Sequence, residues 1–332
     1  VPEDLRLADL LAALSLTTDL AMGQPPEKAI RAAVVATAIA EHLGVRGAEG
    51  GDVFYTTLLK HVGCTASQHE ELHLFGPDGM GMRRVAERTD VASLREVLEL
   101  LRVTGRGAGL ARAGYLARAS IGGRRVSAPG MRAVCEVAAR MAERLGLGPE
   151  VSTALYQNLE RWDGKGEPRR LRGRDIALPA RIAEPATQAV IFHRLGGTEA
   201  ALAMVARRAG GWFDPEVAEA FRAVGPGALD RLEAADPRVA VLEAEPEPVR
   251  RIAADRLGGV AEAFADMVDL ATPFTIGHSA GVAELAAAAA ARIDLPDAGL
   301  VRLASLFHNL SRTAVGVDVW EKPRPLTTTE WK

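Results

Sequence analysis

Alanine and leucine recur at helical spacing in one stretch of this chain after another, and that periodicity confines it to a helical fold. Residues 11–20, 29–43, 53–62, 131–145, 151–159 and 300–310 all place apolar side chains three and four apart. Runs of β-branched residues are scarce, and aromatic residues make up only 5% of the chain, so sheet cores are disfavoured. Gly-Pro-Asp-Gly at 76–79, Gly-Gly-Arg-Arg at 122–125 and Asp-Gly-Lys-Gly at 163–166 punctuate the helical stretches. The chain is predicted to be all-α. Its 332 residues, 48% of them hydrophobic, suffice for two cores, since a domain takes roughly 100–200 residues.

Charge and cysteine content exclude several classes. The net charge is −3 and the basic residues are spread out, so no direct nucleic acid binding is implied. Cys64 and Cys135 are too few for a disulfide framework and fit a reducing, cytoplasmic setting. No secretory signal is visible. The longest apolar run, 282–291, contains Glu284 and falls short of the about 20 residues that span a bilayer, so no membrane partner is expected.

The chain repeats itself. Asp19-Leu20-Ala21 recurs as Asp269-Leu270-Ala271, and each copy leads into an alanine-rich helix, 29–42 or 279–293. A second helix follows each, ending at His61-Val62 or at His308-Asn309. On this alignment Lys28 faces His278, and His61-Val62 faces His308-Asn309. The first copy is placed at 1–225, a proline-rich and acidic linker at 226–248, and a second, partial copy at 249–332. Residues 250–268 read as a connecting helix. The second copy reaches Lys332 about 80 residues past Pro248, so it is expected to lack later helices of the bundle.

Two motifs carry a resemblance. Leu306-Phe307-His308-Asn309-Leu310-Ser311-Arg312 is similar to the His-Asp motif of HD-superfamily phosphohydrolases, with asparagine for the aspartate. Arg161-Trp162-Asp163-Gly164-Lys165-Gly166-Glu167-Pro168 resembles the signature of HD-GYP proteins, and Leu178-Pro179-Ala180-Arg181-Ile182 and Glu321-Lys322-Pro323-Arg324-Pro325-Leu326-Thr327 also fit. The resemblance implies HD-domain-like helical bundles, one complete and one truncated, and a tandem arrangement of actinobacterial type. Such proteins often continue into a helix-turn-helix domain, which is not expected within these residues. It also implies metal-dependent cyclic-di-GMP hydrolysis as the family chemistry. The ligand positions, however, depart from the family's pattern. In the first copy they fall on Lys28, His61, Val62, Asn158, Leu159 and Thr187, and only His61 matches a ligand. A lysine ammonium repels a metal ion. The second copy keeps His278 and His308, with Asn309 supplying a neutral oxygen.

Other candidates are less specific. His69-Glu70-Glu71-Leu72-His73 matches H-E-x-x-H, but its context is polar and no third ligand is evident, so His69 and His73 suggest adventitious metal binding at most. The glycine-rich segments 105–109 and 122–125 follow no strand and read as turns between helices. Arg169, Arg170 and Arg172, after the signature, and Arg312 are candidate anion contacts. Cys64 beside His61 reads as core.

These losses point to a catalytically degenerate regulatory or scaffolding protein without a cofactor, sensing a nucleotide or a protein. The alternative is a metal-dependent phosphohydrolase that cleaves a cyclic dinucleotide. A homodimer is expected, because the partial copy leaves apolar faces of 282–293 and 300–310 uncovered. Ile252, Leu257, Val260, Phe264 and Val268 extend that apolar stripe.

Overall fold

The computed structural model describes residues 4–322, 324–328 and 331; Pro323 and Lys332, both named above, lie outside them. Helices dominate. In chain order they are α1 (Leu7–Ala21), α2 (Lys28–His42), α3 (Gly47–Leu59), α4 (Gln68–Phe75), α5 (Gly79–Ala86), α6 (Leu94–Val103), α7 (Arg112–Arg144) and α8 (Pro149–Tyr156). There follow α9 (Leu178–Arg208), α10 (Pro215–Ala234), α11 (Pro237–Glu243), α12 (Leu257–Asp269), α13 (His278–Arg292), α14 (Ala298–Leu306) and α15 (Val317–Trp320). One small ribbon was not expected: β1 (Asp4–Arg6) pairs antiparallel with β2 (Arg251–Ala253), Leu5 facing Ile252.

The chain forms two compact units. One comprises the residues up to Asp19, Pro25–Gly63 and Met131–Leu257; the other comprises Leu20–Gln24, Cys64–Gly130 and the chain from Gly258 onwards. Residues 64–130, expected within the first copy, thus group with the second. In the first unit α2 is the central helix, packed on α3, α9 and α10. Its alanines 29, 32, 33, 36 and 40 and its Ile30, Val35 and Ile39 are all buried. A helix apolar on every side is stable only when enclosed, and small alanine side chains let three neighbours approach it. Each fully buried Ile contributes about 1.5–3 kcal/mol.

The same device starts the alanine-rich helix of each copy. The residue before α2, Glu27, has φ 75°, and the residue before α13, Gly277, has φ 77°. Asp19 accepts a hydrogen bond from the Ala29 N–H at 3.1 Å, and Asp269 accepts from Ser279 N–H and Oγ, both at 2.7 Å. A carboxylate there satisfies an otherwise open N–H and meets the positive end of the helix dipole. His61 and His308 each lie two residues beyond the end of a helix, α3 or α14. The internal repeat is therefore structural as well as sequential.

Three readings need correction. Pro226 does not begin a linker; it lies inside α10, where the buried Phe221, Ala228, Leu229 and Leu232 outweigh the roughly 3 kcal/mol that an internal proline costs. The connecting helix is shorter than 250–268: β2 and a 3₁₀ turn precede α12. Gly122-Gly123-Arg124-Arg125 is no turn but part of α7, whose length and buried later residues tolerate weak helix formers. Segment 105–109 is a turn as expected, with positive φ at Gly105, Gly107 and Gly109.

The two aspartates make a graded prediction. Asp269→Ala leaves the buried Ser279 N–H and hydroxyl without that acceptor, at about 1–3 kcal/mol. Asp19→Ala also removes the carboxylate 3.6 Å from the buried Lys28 ammonium, and a broken buried pair costs about 3–5 kcal/mol. Urea unfolding should therefore rank Asp19→Ala as the more damaging change; the reverse order would contradict the shared device.

Candidate functional site

In the first copy, the start of α2, the end of α3 and the middle of α9 bring a chain of buried polar groups together. Lys28 Nζ lies 3.6 Å from Asp19 and 3.4 Å from His61 Nδ1. Lys60 Nζ lies 3.4 Å from His61 Nε2 and 2.8 Å from Glu184. Gln188 donates to Glu184 at 2.9 Å, and the Arg208 guanidinium donates to Gln188 at 3.0 Å. Asn158 donates to the Lys60 carbonyl at 2.9 Å and faces the Cys135 thiol.

So the ligand positions implied by the resemblance do converge, but with different chemistry. Lys28 meets His61, and Asn158 bonds the neighbouring Lys60 carbonyl; Val62 is core, Leu159 is half-buried, and Thr187 donates to the Ala183 carbonyl within its own helix. Both imidazole nitrogens of His61 face a lysine nitrogen, and a neutral imidazole can accept from only one of them. The Lys28 and Lys60 ammonium groups face the carboxylates of Asp19 and Glu184, and the buried Arg208 guanidinium adds a further positive charge to the network. A divalent metal does not fit here. Lys60 and Glu184 were not singled out from the sequence; they lie 124 residues apart, and no local pattern links them.

The signature loop closes on itself. Glu160, whose carboxyl burial pushes upward against the pull of backbone N–H groups, accepts from Arg169 N–H at 2.7 Å and Leu171 N–H at 2.9 Å. Arg161 holds Asp163 through two bonds of 3.2 Å and lies over the Trp212 ring. Burial raises the Asp163 carboxyl, but Arg161 and the Lys165 N–H more than reverse this and hold it below its ordinary value. A Cβ on Gly166 would stand 2.4 Å from the Arg161 nitrogen, so the loop requires glycine there. Arg169, Arg170 and Arg172 are exposed on this loop.

The second copy is arranged otherwise. His278 opens α13 and His308 follows α14, with ring centroids 5.4 Å apart and both side chains exposed. The fold thus pairs the two retained imidazoles. His308 Nδ1 lies 2.6 Å from the Ser305 carbonyl; donation there leaves the Nε2 lone pair for a ligand. Asn309 follows at once, and Arg312 stacks over the Trp320 ring at 4.4 Å, with the indole N–H on its carbonyl. Two imidazoles and an amide oxygen fit the start of a divalent metal site.

The H-E-x-x-H segment also gains a partner. α4 sets the His69 and His73 rings 4.8 Å apart, and Glu321 comes to 2.8 Å from His69 Nδ1. The fold thus supplies a third candidate ligand that the sequence did not suggest; at 252 residues' separation no local pattern could reveal it. The expectation of a chain without a cofactor is accordingly withdrawn.

Comparison with known proteins decides the family. Residues 131–217 match the family described as HD domain. Over 98% of its length the chain is 28% identical to a 3'3'-cGAMP-specific phosphodiesterase 3 of Vibrio cholerae, of which it covers 72%. A crystal structure of a cyclic GMP-AMP specific phosphodiesterase of the same organism superposes with a TM-score of 0.72 at 26% identity, over 99% of this chain and 76% of that one. Residues 131–217 thus match an HD domain, and along nearly its whole length the chain is similar to phosphodiesterases specific for cyclic GMP-AMP. Its all-α HD fold agrees. The expectation of a non-hydrolytic regulator or scaffold is overturned, because relatives matched along nearly the whole HD-GYP-like chain are phosphodiesterases. That expectation weighed lost ligands in the first copy too heavily against the retained imidazoles of the second. Among the described residues no helix is long and apolar enough to cross a membrane.

The buried network predicts its own signature. Glu184→Ala strands the Lys60 ammonium and should cost about 3–5 kcal/mol, whereas the apolar pair Lys60→Met with Glu184→Leu should recover most of it. A thermodynamic double-mutant cycle on unfolding free energies measures the coupling; strictly additive losses would refute it.

Proposed function

We propose that this chain carries the function of a metal-dependent cyclic-dinucleotide phosphodiesterase, with 3'3'-cyclic GMP-AMP as the first substrate to test. The convergence of His278 and His308 supports the reading most directly, in a chain whose matched relative is specific for that substrate. The first copy serves the fold, and the chemistry belongs to the second. There His278 and His308 would hold a divalent ion through imidazole nitrogens, with the Asn309 oxygen alongside. Such an ion supplies a water of lowered pKa near a phosphodiester. The Arg312 guanidinium, which stacks on Trp320, would meet the phosphate charge.

Purified protein with manganese or iron should convert 3'3'-cyclic GMP-AMP to a linear dinucleotide, followed by chromatography. His308→Ala and His278→Ala should each lower the rate at least as much as the roughly 10–100-fold loss known for second-shell changes at metal sites. No hydrolysis with either metal would refute the reading.

We also propose that the protein self-associates through α13 and α14. Only Ser279, Ala283 and Ala290 of α13 are buried, whereas Leu285, Ile293, Leu295 and Leu300 stand exposed. Ile252, Leu257, Val260, Phe264 and Val268, expected to extend this face, are buried within the chain and take no part. Light scattering should report about twice 35.2 kDa, and Leu285→Asp with Ile293→Asp should halve it. A monomer at micromolar concentration would refute this assignment.

A further inference from the structure

The histidine pair on α4 belongs to neither HD copy's ligand pattern, and its surroundings are those of a metal site. His69 and His73 stand one helical turn apart, so both rings leave the same face of α4. Glu321, just beyond α15, brings its carboxylate to the pair. One ligand atom from each of the three lies within 4.8 Å of the other two. Bonds of 2.0–2.2 Å in a tetrahedron set ligand atoms about 3.3 Å apart, so small side-chain rotations close the site. Thr272 donates its hydroxyl to Glu321 at 3.0 Å, which orients the carboxylate from behind. Glu71 takes no part, because Arg83 and Ser67 engage it. Arg118 donates to the His73 carbonyl rather than to its ring.

We propose that His69, His73 and Glu321 form a zinc site separate from the phosphodiesterase centre. Two imidazoles and one carboxylate suit zinc rather than magnesium or calcium, which prefer all-oxygen shells. The ion would clip α4 to the segment after α15, tying together residues far apart in sequence. The fourth position is open to solvent, as the exposure of His73 requires. In the absence of the ion, the His69–Glu321 hydrogen bond holds the same two elements more weakly.

Titration of metal-free protein with cobalt and then zinc tests this. Cobalt should give the visible absorption of a tetrahedral site at one equivalent, and zinc should displace it. His73→Ala and Glu321→Gln should abolish the band while circular dichroism stays unchanged, and zinc should raise the melting temperature of the parent protein only. His278→Ala and His308→Ala should leave the band intact, so failure here and failure of the phosphodiesterase reading remain distinct. A band that survives His73→Ala and Glu321→Gln, or that disappears with His278→Ala, would overturn the proposal.

Discussion

The carboxylate of Asp19 on the first turn of α2 is the contact on which much of this molecule depends. It fixes where the central helix begins, and thereby makes Lys28 its first residue and aims the ammonium at His61. Because α2 is enclosed by α3, α9 and α10, a shift of its start would displace every buried alanine along it. Asp269 repeats the arrangement for α13 with a different first residue, and the chemistry of the copy changes with that residue.

The two copies show how little separates a pair of open imidazoles from a buried ion pair. Position 28 carries an ammonium and position 278 an imidazole, on helices begun in the same way. In the first copy the positive charge is covalently attached and neutralised by Asp19 and Glu184. In the second, paired imidazoles stand open to solvent, where a cation can arrive and leave. Desolvating a lysine is costly, so the first arrangement holds only because carboxylates follow it into the core.

Much of this was legible beforehand. Helical periodicity gave the fold class, and the Asp-Leu-Ala pair with its matching histidines located both copies. The Arg161-to-Pro168 segment marked the loop that Glu160 and Arg161 hold together. What the sequence hid was long-range: Lys60 meets Glu184 and His69 meets Glu321 across stretches that no periodicity spans. Pro226 misled because a local breaker rule was set against a buried face it cannot register. The grouping of 64–130 with the later chain was likewise beyond reach, since linear order suggested the opposite.

The internal cations of the first copy also restrain substitution. Histidine at position 28 alone would leave Asp19 buried without its ammonium, and a carboxylate at the buried position 187 would bring a further charge into the core. Each single change passes through an uncompensated buried charge worth about 3–5 kcal/mol, a large share of the roughly 5–15 kcal/mol that holds a domain folded. Turning this cluster into a metal-binding one would need several replacements at once, so stability alone keeps its lysines in place.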